Sequence, residues 1–331
     1  MLNYLLQIDY NATICIIIEK GEKIRFMNLI KPKKLQQGDT IGILSVSGDI
    51  KDISFVENSA LYLQKKGFKT VISDNTYNSF RYHAGPDRQR IQAVEDFFSN
   101  HDIDAIICSR GGYGTLRIIN DIDYSVIAKN PKIFCGYSDI TTLLLMIYKK
   151  TGMISFHGAM TNGDFGGKIS SFTEKSFFNT LQSKDILSYS ANKNFKILNK
   201  GNGNGILWGG NLATIVSMIG LDFIPDEKFV FFLEDVNEPA YKIDRMLTQL
   251  FNCENFAKNI SGIVVGDFSG VDKINYVYDV LVEFSQKYNI PCCDGFKISH
   301  EKDKITLPIG LKCDFSADEG VVNLLETAFI D

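Results

Sequence analysis

The chain reads as an α/β protein: an N-terminal doubly wound, mostly parallel sheet domain, followed by a C-terminal α/β domain with antiparallel strands near its end. Three observations predict this. Continuous apolar runs such as Ala105–Cys108 and Gly262–Val265 suit strands covered on both faces. Such runs alternate with stretches of helical periodicity in two separate regions, as βαβ units do. After Pro308 the pattern turns often and alternates residue by residue, as short antiparallel pairs require. At 331 residues the chain exceeds one ordinary core, which agrees with two domains.

In chain order, residues 1–26 hold one apolar patch, Ile14–Ile18, too short to span a bilayer and without a basic n-region before it or a small-residue cleavage site. Neither an export signal nor an anchor is read there. Met27 opens a better-formed segment that turns at Gly38 and feeds a buried strand to Leu44. The expectation is that Met27 is the native start and 1–26 an upstream extension. Helical spacing from Ile53 to Lys66 stops at Gly67, and Thr70–Ile72 follows as a strand. Pro86–Phe98 is a second amphipathic helix, with Pro86 and Asp87 at its start. Ala105–Cys108 and Pro131–Cys135 are further strands of a nucleophile-bearing domain, 27–165. Residues 166–204, rich in Gly, Ser, Lys and Asn, read as a linker region with a helix near 171–182. The second domain, 205–331, places strands at Ile206–Trp208, Phe229–Leu233 and Gly262–Val265, and helices up to Gly220, over Pro239–Phe251 and over Asn275–Lys287.

Composition excludes several classes. Hydrophobic residues at 45%, charged residues at 22% and a net charge of −4 with both signs interspersed give no footprint for nucleic acid or a membrane surface. The seven cysteines have no metal-finger spacing and several sit in apolar runs, so reduced, buried thiols and a cytoplasmic setting are expected.

The chemistry centres on Lys132–Thr142. An apolar run breaks at Gly136 and resumes at helical length after Ser138, which reads as strand, tight turn, helix. Ser138 would stand at a helix N-terminus, where unpaired amides favour negative charge. Capping the helix is the ordinary use of such a serine. A nucleophile on a sharp strand-to-helix turn is the other, although Gly-Tyr-Ser-Asp is not Gly-x-Ser-x-Gly. Its place at the carboxyl end of a strand, near the glycine-rich loop Ser109–Thr115, turns the reading toward function, because ligands of such sheets gather there.

That loop lacks the spacing of a nucleotide-binding loop. Its amides could face a tetrahedral intermediate instead, and Arg110 and Tyr113 are the candidates for holding substrate. A nucleophilic serine needs a base and the base an orienting group. Of four histidines, His83 and His101 read as exposed, while His157 and His300 stay level. Carboxylates crowd at Glu234, Asp235 and Glu238, each of which could equally cap the helix at Pro239. Cys108 and Cys135 are rival nucleophiles, but thiols buried in apolar strands are usually inert.

Several ordered stretches resemble the murein LD-carboxypeptidases, a serine peptidase family that also holds the microcin C self-immunity peptidases. They are Leu35–Ile43, Tyr82–Asp87, Cys108–Gly114, Pro131–Thr142, His157–Met160, Gly209–Leu212, Phe232–Asp235, Ile243–Arg245 and Leu307–Gly310. Residues 1–26 have no counterpart in the pattern. The resemblance places the family's nucleophile on Ser138, its acid on Glu234 and its base on His300, and its oxyanion donors on the amides of Gly112 and Asp139. It thereby separates His300 from His157. Ser299 stands where the family usually has glycine, and a side chain there would restrict the loop. The implied reaction is acyl transfer that releases D-alanine from murein tetrapeptide, with no metal or organic cofactor. Cleavage of a peptidyl-nucleotide antibiotic is the alternative within the family; the single tryptophan, Trp208, lies in the Gly-Gly-Asn-Leu region rather than in a separate stacking loop, which favours murein. A non-catalytic module closing on a small molecule is the alternative outside it, and would hold Ser138, Glu234 and His300 far apart. The expected partner is a small peptide, with no nucleic acid or membrane and a homodimer as an open option.

Overall fold

The computed structural model describes residues 28–330 in full and, of the preceding stretch, only the backbones of three strands, β1 (Leu5–Gln7), β2 (Ile14–Glu19) and β3 (Glu22–Met27). These form an antiparallel sheet in that order. The expected start at Met27 therefore concerns a stretch that otherwise lies outside the described residues.

A six-stranded sheet follows. Its parallel strands are β4 (Thr40–Leu44), β5 (Lys69–Ile72), β6 (Ala105–Cys108), β7 (Ile133–Gly136) and β8 (Ser155–His157), in the spatial order β8-β7-β6-β4-β5. The helices α1 (Ser54–Lys65), α2 (Asp87–Ser99), α3 (Tyr124–Lys129) and α4 (Thr141–Thr151) connect them. β6 and β7 are buried at every residue, which is why they read as unbroken apolar runs. The chain winds from β4 outward to β5, then crosses back to β6. The order thus reverses between β4 and β6, and in sheets of this kind ligands bind beyond the carboxyl ends of the strands at such a point.

The segment 166–204 carries the expected helix, α5 (Ser171–Gln182), started by Ser170, whose hydroxyl accepts from Thr173 N. It also carries two short strands with no signal in local pattern, β9 (Ser188–Ser190) and β10 (Ile197–Asn199). These close the two edges of an eight-stranded sheet ordered β10-β14-β13-β12-β11-β16-β17-β9. Its parallel centre is β11 (Asn202–Asn211), β12 (Phe229–Val236), β13 (Ile260–Ser269) and β14 (Cys292–Cys293). The helices are α6 (Leu212–Ser217), α7 (Ala240–Phe251), α8 (Glu254–Asn259) and α9 (Ile274–Lys287). The antiparallel tail is present as β15 (Leu307–Ile309), β16 (Lys312–Ser316) and β17 (Val321–Leu324). Its first strand leaves its neighbours and pairs with β8, at the edge of the first sheet. Pro308 is tolerated there because an edge strand has one unpaired side.

One continuous apolar core runs through both sheets. Trp208 is fully buried in it among Phe223, Phe229 and Phe231. Among the described residues no helix is long and apolar enough to cross a membrane.

Candidate active site

Ser138 directly follows β7 and Tyr137, and its backbone is left-handed, with φ 62°. A residue with a Cβ adopts that conformation at a cost of about 1–2 kcal/mol, so the surroundings must impose it. They do so through Asp139. Its carboxylate accepts from Ser47 Oγ at 2.6 Å and from Thr115 N at 3.0 Å, while its carbonyl accepts from Thr115 Oγ1 at 2.7 Å. Loops from the ends of β4, β6 and β7 are thus tied together. The expected helix does not begin at Ser138; a 3₁₀ turn over Ser138–Ile140 comes first and α4 starts at Thr141. The serine side chain caps neither element, so the ordinary use of a serine here is not the one adopted.

The glycine loop lies against this turn. A Cβ on Gly111 would stand 2.7 Å from Ser138 Cβ and 2.8 Å from its Oγ, so only glycine allows this approach. Gly112 is left-handed, with φ 118°. Arg110 donates through Nη1 to Asp49 O at 2.8 Å. Tyr113 is half-exposed beside Tyr82, their ring centres 5.8 Å apart. His83 departs from expectation: it is buried, and Nδ1 lies 2.9 Å from Tyr113 O. Its polar sequence neighbours concealed that a distant loop covers it. His101 is exposed, as expected.

The second sheet supplies the carboxylate and the imidazole. β12 runs past Leu233 to Val236, so Glu234 and Asp235 belong to the strand and not to a helix start. The α7 amide at Ala240 instead donates to Asp272. Glu234 is fully buried, and its Oε2 meets His300 Nδ1 at 2.7 Å. Burial by itself would lower the imidazole pKa, but the hydrogen bond and charge of Glu234, helped by Asp235 and opposed by Lys304, raise it overall. Burial drives Asp235 up to about 6, reinforced by the charge of Glu234.

His157 has no such partner. It is buried against Phe232 with Nδ1 unpaired, and burial pulls its pKa down to about 4. The structure therefore distinguishes the two histidines by their carboxylate neighbour. Cys108 and Cys135 are fully buried, and burial pushes both thiols up.

Asn211 was missed as a site residue, although its Gly-Gly-Asn-Leu motif stood out. It lies beside Glu234 in the register of β11 on β12. Its Nδ2 donates to Glu234 Oε1 at 3.2 Å and to Asp235 Oδ1 at 3.0 Å, and its own N–H donates to Thr141 Oγ1 at 3.2 Å. Thr141 opens the helix that follows Ser138. One chain of contacts thus links the serine turn, Asn211, Glu234 and His300, and the Tyr137 ring meets His300 edge-on at 5.0 Å. Glu234 and His300, expected far apart in a non-catalytic module, are in direct contact, and the imidazole touches the ring of the residue before Ser138. Ser299, whose side chain was expected to restrict the loop, closes it: Oγ accepts from Glu301 N at 2.9 Å and donates to Asp303 O at 3.3 Å.

The scaffold is a parallel α/β one, with these groups at its strand ends. The sequence profile of the LD-carboxypeptidase N-terminal domain matches residues 41–158, and that of the C-terminal domain matches residues 204–315. The chain belongs to the LD-carboxypeptidase family and is a carboxypeptidase. It is 33% identical over 296 residues to a probable murein peptide carboxypeptidase of Bacillus subtilis, covering 87% of this chain and 92% of that one. It is 30% identical over 328 residues to the microcin C7 self-immunity protein MccF of Escherichia coli, covering 88% and 94%. A solved structure of MccF with aspartyl sulfamoyl adenosine superposes with a TM-score of 0.84 at 27% identity, over 91% of this chain and 100% of that one. The muramoyltetrapeptide carboxypeptidase of Oxalobacter formigenes superposes with a TM-score of 0.76 at 30% identity, over 86% and 97%.

Proposed function

We propose that the enzyme releases the C-terminal D-alanine of murein tetrapeptide in the cytoplasm, by acyl transfer through Ser138, His300 and Glu234. Ser138 Oγ attacks the carbonyl carbon before D-alanine, and His300 Nε2 takes its proton. The oxyanion is held by the amides of Gly112 and Asp139. As the C–N bond breaks, His300 returns the proton to the leaving amine. Water then repeats the sequence, freeing the shortened peptide and restoring the serine. Glu234 keeps the proton of His300 on Nδ1 and stabilises the imidazolium. The observation that carries this reading is the 2.7 Å contact between His300 Nδ1 and the buried Glu234, which leaves Nε2 for a serine. Arg110, beside Gly111, offers the cation that a free carboxylate on the substrate needs, and Tyr113 flanks it. The chain divides into 27–165 and 205–331, joined through 166–204, with the serine on one half and the carboxylate and imidazole on the other.

For murein peptide rather than an acyl nucleotide the supporting observation is Trp208. It is enclosed by the core and offers no face to a base. The test is incubation with murein tetrapeptide and, separately, with aspartyl sulfamoyl adenosine, followed by mass analysis. Release of D-alanine is expected, falling by about three orders of magnitude or more in Ser138→Ala. Equal release by that variant would overturn the mechanism. Cleavage of the nucleotide alone would overturn the substrate.

A further inference from the structure

The His300 loop is held by more than Glu234. Lys304, four residues on, is 4% exposed, and its Nζ donates to Oδ1 of Asp164, itself 9% exposed. Asp164 lies in the turn Thr161–Phe165 after β8, and its Oδ2 accepts from Met160 N at 2.9 Å. That turn is in turn fixed to α1, where Ser59 Oγ donates to Thr161 O at 2.5 Å. The Lys304 ammonium stands 5.1 Å from the centre of the Tyr137 ring, the same ring that meets His300 at 5.0 Å. The ring of Tyr137, the residue that precedes Ser138, thus contacts both the charge and the imidazole. Two charges buried together gain little net stability, because desolvation offsets their attraction. Stability alone gives this pair no reason to be here.

We propose that Lys304 and Asp164 are positioning residues for His300: the pair anchors the His300 loop to the first sheet's side and balances the charge that the imidazole meets across Tyr137. This rests on the reading of His300 as the base. The groups facing the imidazole are Glu234 and Asp235 from β12, Tyr137 from the serine turn, His157 from β8 and Lys304 from its own loop. Glu234 and Asp235 favour the protonated ring, and Lys304 opposes it. The ammonium lies no more than about 10 Å from the imidazole, where one unbalanced charge in a protein interior moves a titration by about one pH unit.

The test is the pH dependence of kcat/KM on murein tetrapeptide. Lys304→Met leaves Asp164 unbalanced, and the acid limb should move up by about one pH unit. Asp164→Asn leaves Lys304 unbalanced, and the limb should move down by a similar amount. Lys304→Arg should restore the wild-type limb. Opposite signs from the two single variants are not the mark of a mere strut. The double variant Asp164→Asn/Lys304→Met buries no lone charge and guards against misfolding of the singles. It should keep the limb in place yet lose about tenfold in kcat at unchanged KM, because the anchor is gone. A limb unmoved in both single variants, or an unchanged kcat in the double variant, overturns the proposal and leaves His300 as base. Wild-type activity in His300→Ala overturns both.

Discussion

Gly111→Ala probes how closely the glycine loop must approach the serine. The added Cβ would sit 2.7 Å from Ser138 Cβ, 2.8 Å from Ser138 Oγ and 3.2 Å from Asp139 N. Carbon atoms in contact rest at about 3.5–4.0 Å, so one of the two loops must retreat by about 1 Å. Neither is free to do so. Gly111 O accepts from Gly48 N at 3.2 Å, and Ser138 is fixed through Asp139 to Ser47 and Thr115. Gly111 is not among the glycines with positive φ, so the effect is a clash and not backbone strain. Overpacking of this kind costs about 1–3 kcal/mol, which the protein should survive. A displacement of about 1 Å at a reacting group costs about 100-fold in rate. Calorimetry should therefore show a folded protein with a modestly lowered Tm, and kcat/KM on murein tetrapeptide should fall about 100-fold. Gly112→Ala is the comparison, since its Cβ would meet nothing closer than Gly48 Cα at 3.4 Å and would act through the strain of φ 118°. A Gly111→Ala enzyme with wild-type kcat/KM would refute the placement of this loop against the serine.

Two further predictions concern stability. Because Ser138 is held at φ 62°, Ser138→Gly should be more stable in urea than Ser138→Ala by about 1 kcal/mol, while both lose turnover; equal stabilities would mean that the serine turn stores no strain. His157, whose pKa burial pulls down to about 4, resists protonation when folded and accepts it when unfolded, near 6.5. Its contribution is therefore intact above the unfolded value and lost as pH falls toward the folded one, about 2 kcal/mol less at pH 5 than at pH 7. His300, shifted upward, has the opposite sign: its contribution is present below the unfolded value and lost as pH rises through the folded one. The comparison is thus made between proteins, and His157→Gln should show a smaller loss between pH 7 and pH 5 in urea unfolding; an identical loss would contradict the assignment.

What could be read from the chain was what local pattern encodes. The βα alternation, the helix over 171–182 and the serine turn follow from periodicity and punctuation, which need only neighbours in sequence. What failed depends on distant neighbours. His83 sits among polar residues and is covered by Tyr113, thirty positions on. β9 and β10 are three residues each and polar in part, and they exist because the edges of β17 and β14 accept them. His157 and His300 each lie close to a strand, and local pattern leaves them level; the family resemblance separates them in the sequence, and the approach of Glu234 does so in space. Asn211 stood in a noticed motif, but its task is set by the register that lays it beside Glu234.

The segment 166–204 has the composition of a linker, yet its helix bears on the imidazole. His300 lies between β14 of the second sheet and β15 of the first, so its loop crosses from one sheet to the other. Midway along that crossing, Thr173 of α5 receives a hydrogen bond from Lys304 N at 2.9 Å and donates one to Lys302 O at 2.8 Å. Farther along, Thr180 Oγ1 donates to Thr306 O at 3.1 Å, and Ser176 Oγ accepts from Thr306 N at 2.9 Å. Thr173→Ala leaves the buried Lys304 amide without a partner, at about 1–3 kcal/mol, and frees the carbonyl of the exposed Lys302. Freed at that point, the loop can drift by a fraction of an ångström, and the imidazole with it. The expected outcome is a lower Tm together with about a tenfold fall in kcat at unchanged KM, largely recovered in Thr173→Ser, which keeps the hydroxyl. A Thr173→Ala protein that loses stability but keeps its kcat at temperatures well below Tm would show that α5 only supports the sheets, and that the base is held by Glu234 and its own loop.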